Sequence, residues 1–144
     1  MPRKNSTYEE RAIDVLRSHG FRITMPRTLV VRAFAEAKKP LDAYGLHSMI
    51  LESEGRIDTV SCYRIINTLM DLGLLYQVGK LDGKYWRREA IGEPDARVLF
   101  VNSDGTVEEV TDADNLRRIA ATMSSNLNLP VRRFQVEIEV EQDL

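Results

Sequence analysis

The chain predicts an α+β protein: a helical N-terminal unit that ends in a helix-turn-helix and a β-hairpin, followed by a smaller α/β unit of order β-β-α-β. Three observations carry this. Apolar residues recur at helical spacing in four successive stretches before Gly73. After Gly73 the period drops to that of a strand. The charge also divides: residues 1–88 hold fifteen Lys and Arg against ten Asp and Glu, a net of +5, and residues 89–144 hold five against twelve, a net of −7.

The leading helix is signalled by Ser6-Thr7-Tyr8-Glu9-Glu10, two overlapping capping boxes, and by Ala12, Ile13 and Leu16 up to Gly20. Thr24 is the expected N-cap of a second helix, with Pro26 in its first turn and Leu29, Val30, Ala33, Phe34 and Ala37 on its apolar face. Pro40 punctuates its end. Asp42 caps a third helix whose stripe of Leu46, Met49 and Ile50 stops at Gly55, which is able to take the left-handed C-cap conformation. Asp58 or Thr59 opens the fourth, and Gly73 closes it.

That fourth helix is two-faced. At about 100° per residue, Cys62, Ile65, Ile66, Leu69 and Leu72 share one side. Tyr63, Arg64, Asn67 and Asp71 gather opposite, with Ser61 and Thr68 at the edge. A guanidinium grips phosphate or a guanine edge, an amide pairs with adenine, and a Tyr packs on sugar or a thymine methyl. Two helices joined by a short turn, the second with this outer face, form a helix-turn-helix suited to double-stranded DNA. The plainer alternative is a solvated face.

Leu74 to Val78 and Lys84 to Arg88 then alternate around an Asp82-Gly83 turn, a β-hairpin. Lys80, Lys84, Arg87 and Arg88 give it a basic tip and edge, as a wing along a phosphate backbone needs. Together these elements make a winged helix. Trp86 is expected to pack the wing against the helices, and Tyr8 to pack likewise. Arg22 and Arg27 flank the start of the second helix, where a phosphate could sit. Arg3 and Lys4 form a short basic arm.

The basic first unit reads as a DNA-binding domain over residues 1–88, joined by a turn-rich linker over 89–96 to a dimerisation domain over 97–144. There, Arg97 to Val101 and Thr106 to Val110 flank the hairpin turn Asn102-Ser103-Asp104-Gly105. Thr111 or Asp112 caps a helix through about Leu127 with Leu116, Ile119, Ala120, Met123 and Leu127 on one face. An alternating strand over 131–140 follows Pro130. In so small a unit an independent core is marginal, so a homodimer through residues 97–141 is expected, which would also set two reading helices on one pseudo-palindromic site.

Within 144 residues, one Cys, no membrane-length apolar run and no apolar leader point to a reducing cytoplasm and no membrane partner. No phosphate loop and no catalytic triad or carboxylate pair stands out, so an enzyme is not expected.

The order of elements resembles the ferric uptake regulator family, including its zinc-uptake branch, over nearly the whole chain. Gly20-Phe21-Arg22-Ile23-Thr24-Met25-Pro26-Arg27 is similar to the family's glycine-hydrophobic-arginine-valine-threonine-x-proline-arginine motif. Ala43 with Leu46, Val60-Ser61-Cys62-Tyr63-Arg64, and Leu72-Gly73-Leu74-Leu75 match further segments. The resemblance implies transcriptional repression as a dimer, with Tyr63 and Arg64 at DNA-contacting positions, and metal sensing.

The metal ligands depart from that pattern. Val101 and Asp104 stand where the family's first cysteine pair belongs, Glu93-Pro94-Asp95-Ala96-Arg97 replaces its histidine-rich segment, Pro40 replaces a histidine, and no cysteine pair follows Val140. Only Cys62, His19 and His47 remain as thiol or imidazole ligands, whereas structural zinc needs four. The expectation is a repressor without metal or other cofactor. The alternatives are a redox regulator using Cys62, a carboxylate site for a hard cation, or a protein-interaction or heterodimerisation module that modulates metal-sensing relatives without reading DNA.

Overall fold

The computed structural model describes residues 7–78, 83–88, 97–102, 104–111 and 113–130. The basic arm at Arg3 and Lys4, the wing tip at Lys80 and Asp82, the 89–96 linker and the 131–140 strand lie outside them.

Helix α1 (Tyr8–Ser18) starts at a capping box in which the Thr7 hydroxyl accepts from Glu10 N–H and the Glu10 carboxylate accepts from Thr7 N–H. Helix α2 (Met25–Glu36) is capped by Thr24, and α3 (Ala43–Glu52) by Asp42, whose Oδ1 accepts from Gly45 N–H at 2.6 Å. Helix α4 (Thr59–Asp71) is capped by Asp58. Their apolar stripes converge on one core: Ala12 and Leu16 of α1, Val30 and Phe34 of α2, Leu46 and Ile50 of α3, and Cys62, Ile66 and Leu69 of α4 are all buried. Tyr8 belongs to this core too. Its hydroxyl donates to the Leu74 carbonyl at 2.8 Å and ties the start of α1 to the end of α4.

One expectation about the helix-turn-helix needs correction. The left-handed residue after α3 is Glu54, at φ 63°, and not Gly55. Gly55 is needed for space: a Cβ there would lie 2.9 Å from Ile50 Cγ2 and 3.0 Å from Leu29 Cδ2. Packing of the turn against α2 and α3 sets the glycine, a requirement that local turn chemistry does not reveal.

Strands β1 (Leu75–Gln77) and β2 (Tyr85–Arg87) pair antiparallel with Tyr76 opposite Trp86. Bonds from Val78 N–H to Lys84 O and from Arg88 N–H to Leu74 O extend the ladder at both ends. Leu41 adds a third edge, exchanging both backbone hydrogen bonds with Tyr85 at 3.0 and 2.8 Å. Trp86 is buried with Ala37 and Val78, as expected of a residue that seats the wing on the helices.

Strands β3 (Arg97–Val101) and β4 (Val107–Thr111) form a second antiparallel pair, and α5 (Ala113–Leu127) follows. Val107 packs against the Trp86 cluster, and the Lys39 side chain lies against Gly105. The second hairpin therefore rests on the wing side of the helical unit.

Candidate nucleic-acid interface

Both Asp58 oxygens serve the first turn of α4: Oδ1 accepts from Ser61 N–H at 2.8 Å and Oδ2 from the Ser61 hydroxyl at 2.7 Å. These bonds, the hydroxyl first, hold its carboxyl below the ordinary value of 3.8. The start of the helix is therefore fixed by an ionised cap. Beyond it the two faces separate as the spacing predicts. Cys62, Ile66 and Leu69 are fully buried, while Tyr63, Arg64 and Asn67 are exposed, Tyr63 at 53%.

Ser61 and Thr68 are half-buried edge residues. Their hydroxyls donate within the helix region, to Asp58 Oδ2 and to Arg64 O at 3.0 Å, which leaves oxygen lone pairs to accept. They frame the exposed face more than they extend it.

The basic residues divide by what they touch. Arg22 is exposed, and its carbonyl accepts from Arg27 Nη1 at 2.9 Å. The Arg27 guanidinium also lies 5.3 Å from the centre of the Phe21 ring. Arg27 thus shapes the loop that presents Arg22. Lys84 and Arg88 are half-exposed on the hairpin.

Arg87 departs from the expected phosphate contact. Its Nη1 donates to Phe34 O at 3.0 Å and Ala37 O at 2.6 Å, and its guanidinium lies 4.3 Å from the centre of the Trp86 ring. The last carbonyls of a helix lack intrahelical partners and attract a cation. Arg87 fills that role for α2 and so anchors the wing from inside.

Sequence reasoning missed three exposed apolar or aromatic residues on the helices of the first unit: Val60 at 60%, Tyr44 at 81% and Met25 at 68%. Helical phase was the available signal for the first two. Val60 falls opposite Leu69 on α4, and Tyr44 falls opposite Leu46 and Ile50 on α3.

The metal expected from the resemblance finds no matching donors among the described residues. No group of three or more His, Cys, Asp or Glu there is placed to hold an ion. Asp104 is engaged in its own turn, accepting from both the backbone and the hydroxyl of Thr106, and Asn102 Nδ2 donates to the same hydroxyl. Thr106, with a smaller contribution from Lys39, keeps the Asp104 carboxyl low. His19 closes α1, where its Nδ1 lies 2.8 Å from Val15 O. Cys62 is sealed in the core, and burial, then Asp58, pushes its thiol up, which suits neither a thiolate ligand nor a redox sensor.

No curated protein sequence matches the chain. Solved structures do. A zinc uptake regulator complexed with zinc and DNA superposes with a TM-score of 0.71 at 20% identity, covering 89% of this chain and 87% of that one. A ferric uptake regulator from Pseudomonas aeruginosa with manganese gives 0.64 at 17%, covering 92% and 98%. The Vibrio cholerae ferric uptake regulator gives 0.59 at 17%, covering 85% and 93%. These likenesses confirm the fold, a winged helix followed by an α/β unit. The family model of the ferric uptake regulators matches residues 18–139, from the end of α1 to beyond α5, and by that match the chain belongs to the ferric uptake regulator family.

Proposed function

We propose that this protein is a metal-independent transcriptional repressor that binds double-stranded DNA as a homodimer. The carrying observation is the outer face of α4, where Tyr63, Arg64 and Asn67 stand exposed on a helix whose opposite face is buried. In a helix-turn-helix the second helix enters the major groove, and its N-terminal residues meet base edges. Tyr63, Arg64 and Asn67 then read bases, with Ser61 and Thr68 at the margin. Arg22, Lys84 and Arg88 meet phosphates. No enzymatic step enters this reading.

The domain boundaries follow the same division: residues 1–88 bind DNA, 89–96 link, and 97–144 dimerise. Ile119, Met123 and Leu127, four residues apart on α5, are exposed and offer an apolar stripe for a second copy. Metal independence is supported by the donor set, since Asp104 is bound into its turn and Cys62 is buried. The relative solved with DNA also held zinc, so the present proposal separates two properties found together there.

The test is the affinity of chelator-treated protein for double-stranded fragments of its own genome at physiological salt, with and without zinc, manganese or iron. Tight, fragment-selective binding in chelator is the expected result, weakening as salt rises because phosphate contacts release counterions. Binding only after metal addition refutes metal independence, and no binding in either condition refutes DNA recognition.

A further inference from the structure

Val60 is the residue on the reading helix that its polar neighbours do not explain. It lies nine positions before Leu69, two and a half helical turns, and so points roughly 180° away from a side chain that is fully buried. Val60 therefore occupies the middle of the exposed face, between Tyr63 and Arg64, which follow it by three and four residues and share its side of the helix. At 60% exposure it packs against little of its own protein. It also sits in the first turn of α4, just after the Asp58 cap, at the end of a reading helix that approaches base edges most closely.

An apolar, β-branched side chain cannot donate or accept a hydrogen bond, so it tells base pairs apart only through the one apolar group on the major-groove floor, the C5 methyl of thymine. We propose that Val60 is a specificity-determining residue that packs on a thymine methyl in each half-site, beside the polar contacts of Tyr63, Arg64 and Asn67. This rests on the DNA-reading function proposed above. It sets an aliphatic contact beside the aromatic, guanidinium and amide groups of the same face. The geometry also favours accuracy, because Val has a single stiff χ1 torsion and Asp58 pins the turn that carries it.

The test first selects the preferred duplex from a random library with the native full-length protein. Each thymine of that duplex is then replaced in turn by uracil, which removes the methyl and leaves base pairing intact. The native protein should lose about fourfold in affinity at one thymine per half-site, the effect of burying one methyl group. In Val60→Ala the same replacement should cost less than twofold, with the salt dependence of binding unchanged because the phosphate contacts remain. Val60→Ser, which carries no methyl group, makes the same comparison should the alanine variant fail to give a native thermal melt. Selective binding with no uracil-sensitive thymine, or an undiminished penalty in Val60→Ala, overturns the assignment and leaves the DNA-reading function standing. Failure of the native protein to select any duplex overturns both.

Discussion

Asp58 caps α4 and Arg87 ties the hairpin to the end of α2, and each single side chain carries its own prediction. Asp58 is held ionised by Ser61, and Asp104 by Thr106. A carboxyl whose folded-state value lies below its ordinary 3.8 supports the fold above that value and loses its contribution as pH falls through the lower one. Denaturant midpoints taken from about pH 6 to about pH 2.5 should therefore fall more steeply for the native protein than for the Asp58→Asn, Asp104→Asn double variant. Parallel curves would show that neither cap matters. Arg87→Ala removes two charge-assisted hydrogen bonds at the end of α2 and should cost about 2 kcal/mol of stability. Lys84→Ala and Arg88→Ala should leave the melt unchanged and weaken binding to specific and random DNA alike, each reducing the salt slope by about one. A stable Arg87→Ala protein with only a DNA defect would return Arg87 to the phosphate contacts expected from its position on the wing.

At the scale of elements, helix ends decide where α4 points. Helices α1, α3, α4 and α5 close with the same pair of backbone bonds around one left-handed residue, at Gly20, Glu54, Gly73 and Asn128. Three of these are Gly or Asn, which bear that conformation well, and Glu54 does not. Glu54→Gly should raise stability by about 0.5 to 1 kcal/mol in equilibrium unfolding, and no gain would mean the turn relaxes without strain. Gly55→Ala should do the reverse, costing about 1 to 3 kcal/mol, because its methyl would press on Ile50 and Leu29 where α3 turns toward α4. Periodicity made these helices legible, and Thr7, Thr24, Asp42 and Asp58 all cap where a side-chain oxygen precedes an apolar stripe. The role of Gly55 was hidden because its neighbours come from other turns and another helix.

At the scale of the molecule, the contact between the halves and the exposed face of α5 matter most. Val107 on the Trp86 cluster and Lys39 on Gly105 seat the second hairpin against the first unit, so the acidic half is placed by packing as well as by its link. If α5 joins two copies, Met123→Glu should shift sedimentation from a dimer toward a 16.5 kDa species and cut affinity for a two-half-site duplex at least tenfold. An unshifted dimer would move the interface elsewhere.

The sequence by itself determined the described elements and the two faces of α4, because helical and strand periods, caps and turn residues act between near neighbours in the chain. Through Val101 and Asp104 it also carried the expectation of metal independence, which belongs to the proposed function. Only the tertiary structure decided that Arg87 turns inward to α2, that Leu41 pairs with Tyr85, that Gly55 is a packing requirement, and that Val107 meets Trp86. Each of these joins residues far apart in the chain or on different elements, and their partners are chosen by which surfaces meet when the helices bury their stripes together. Spacing along one element carries no record of that choice.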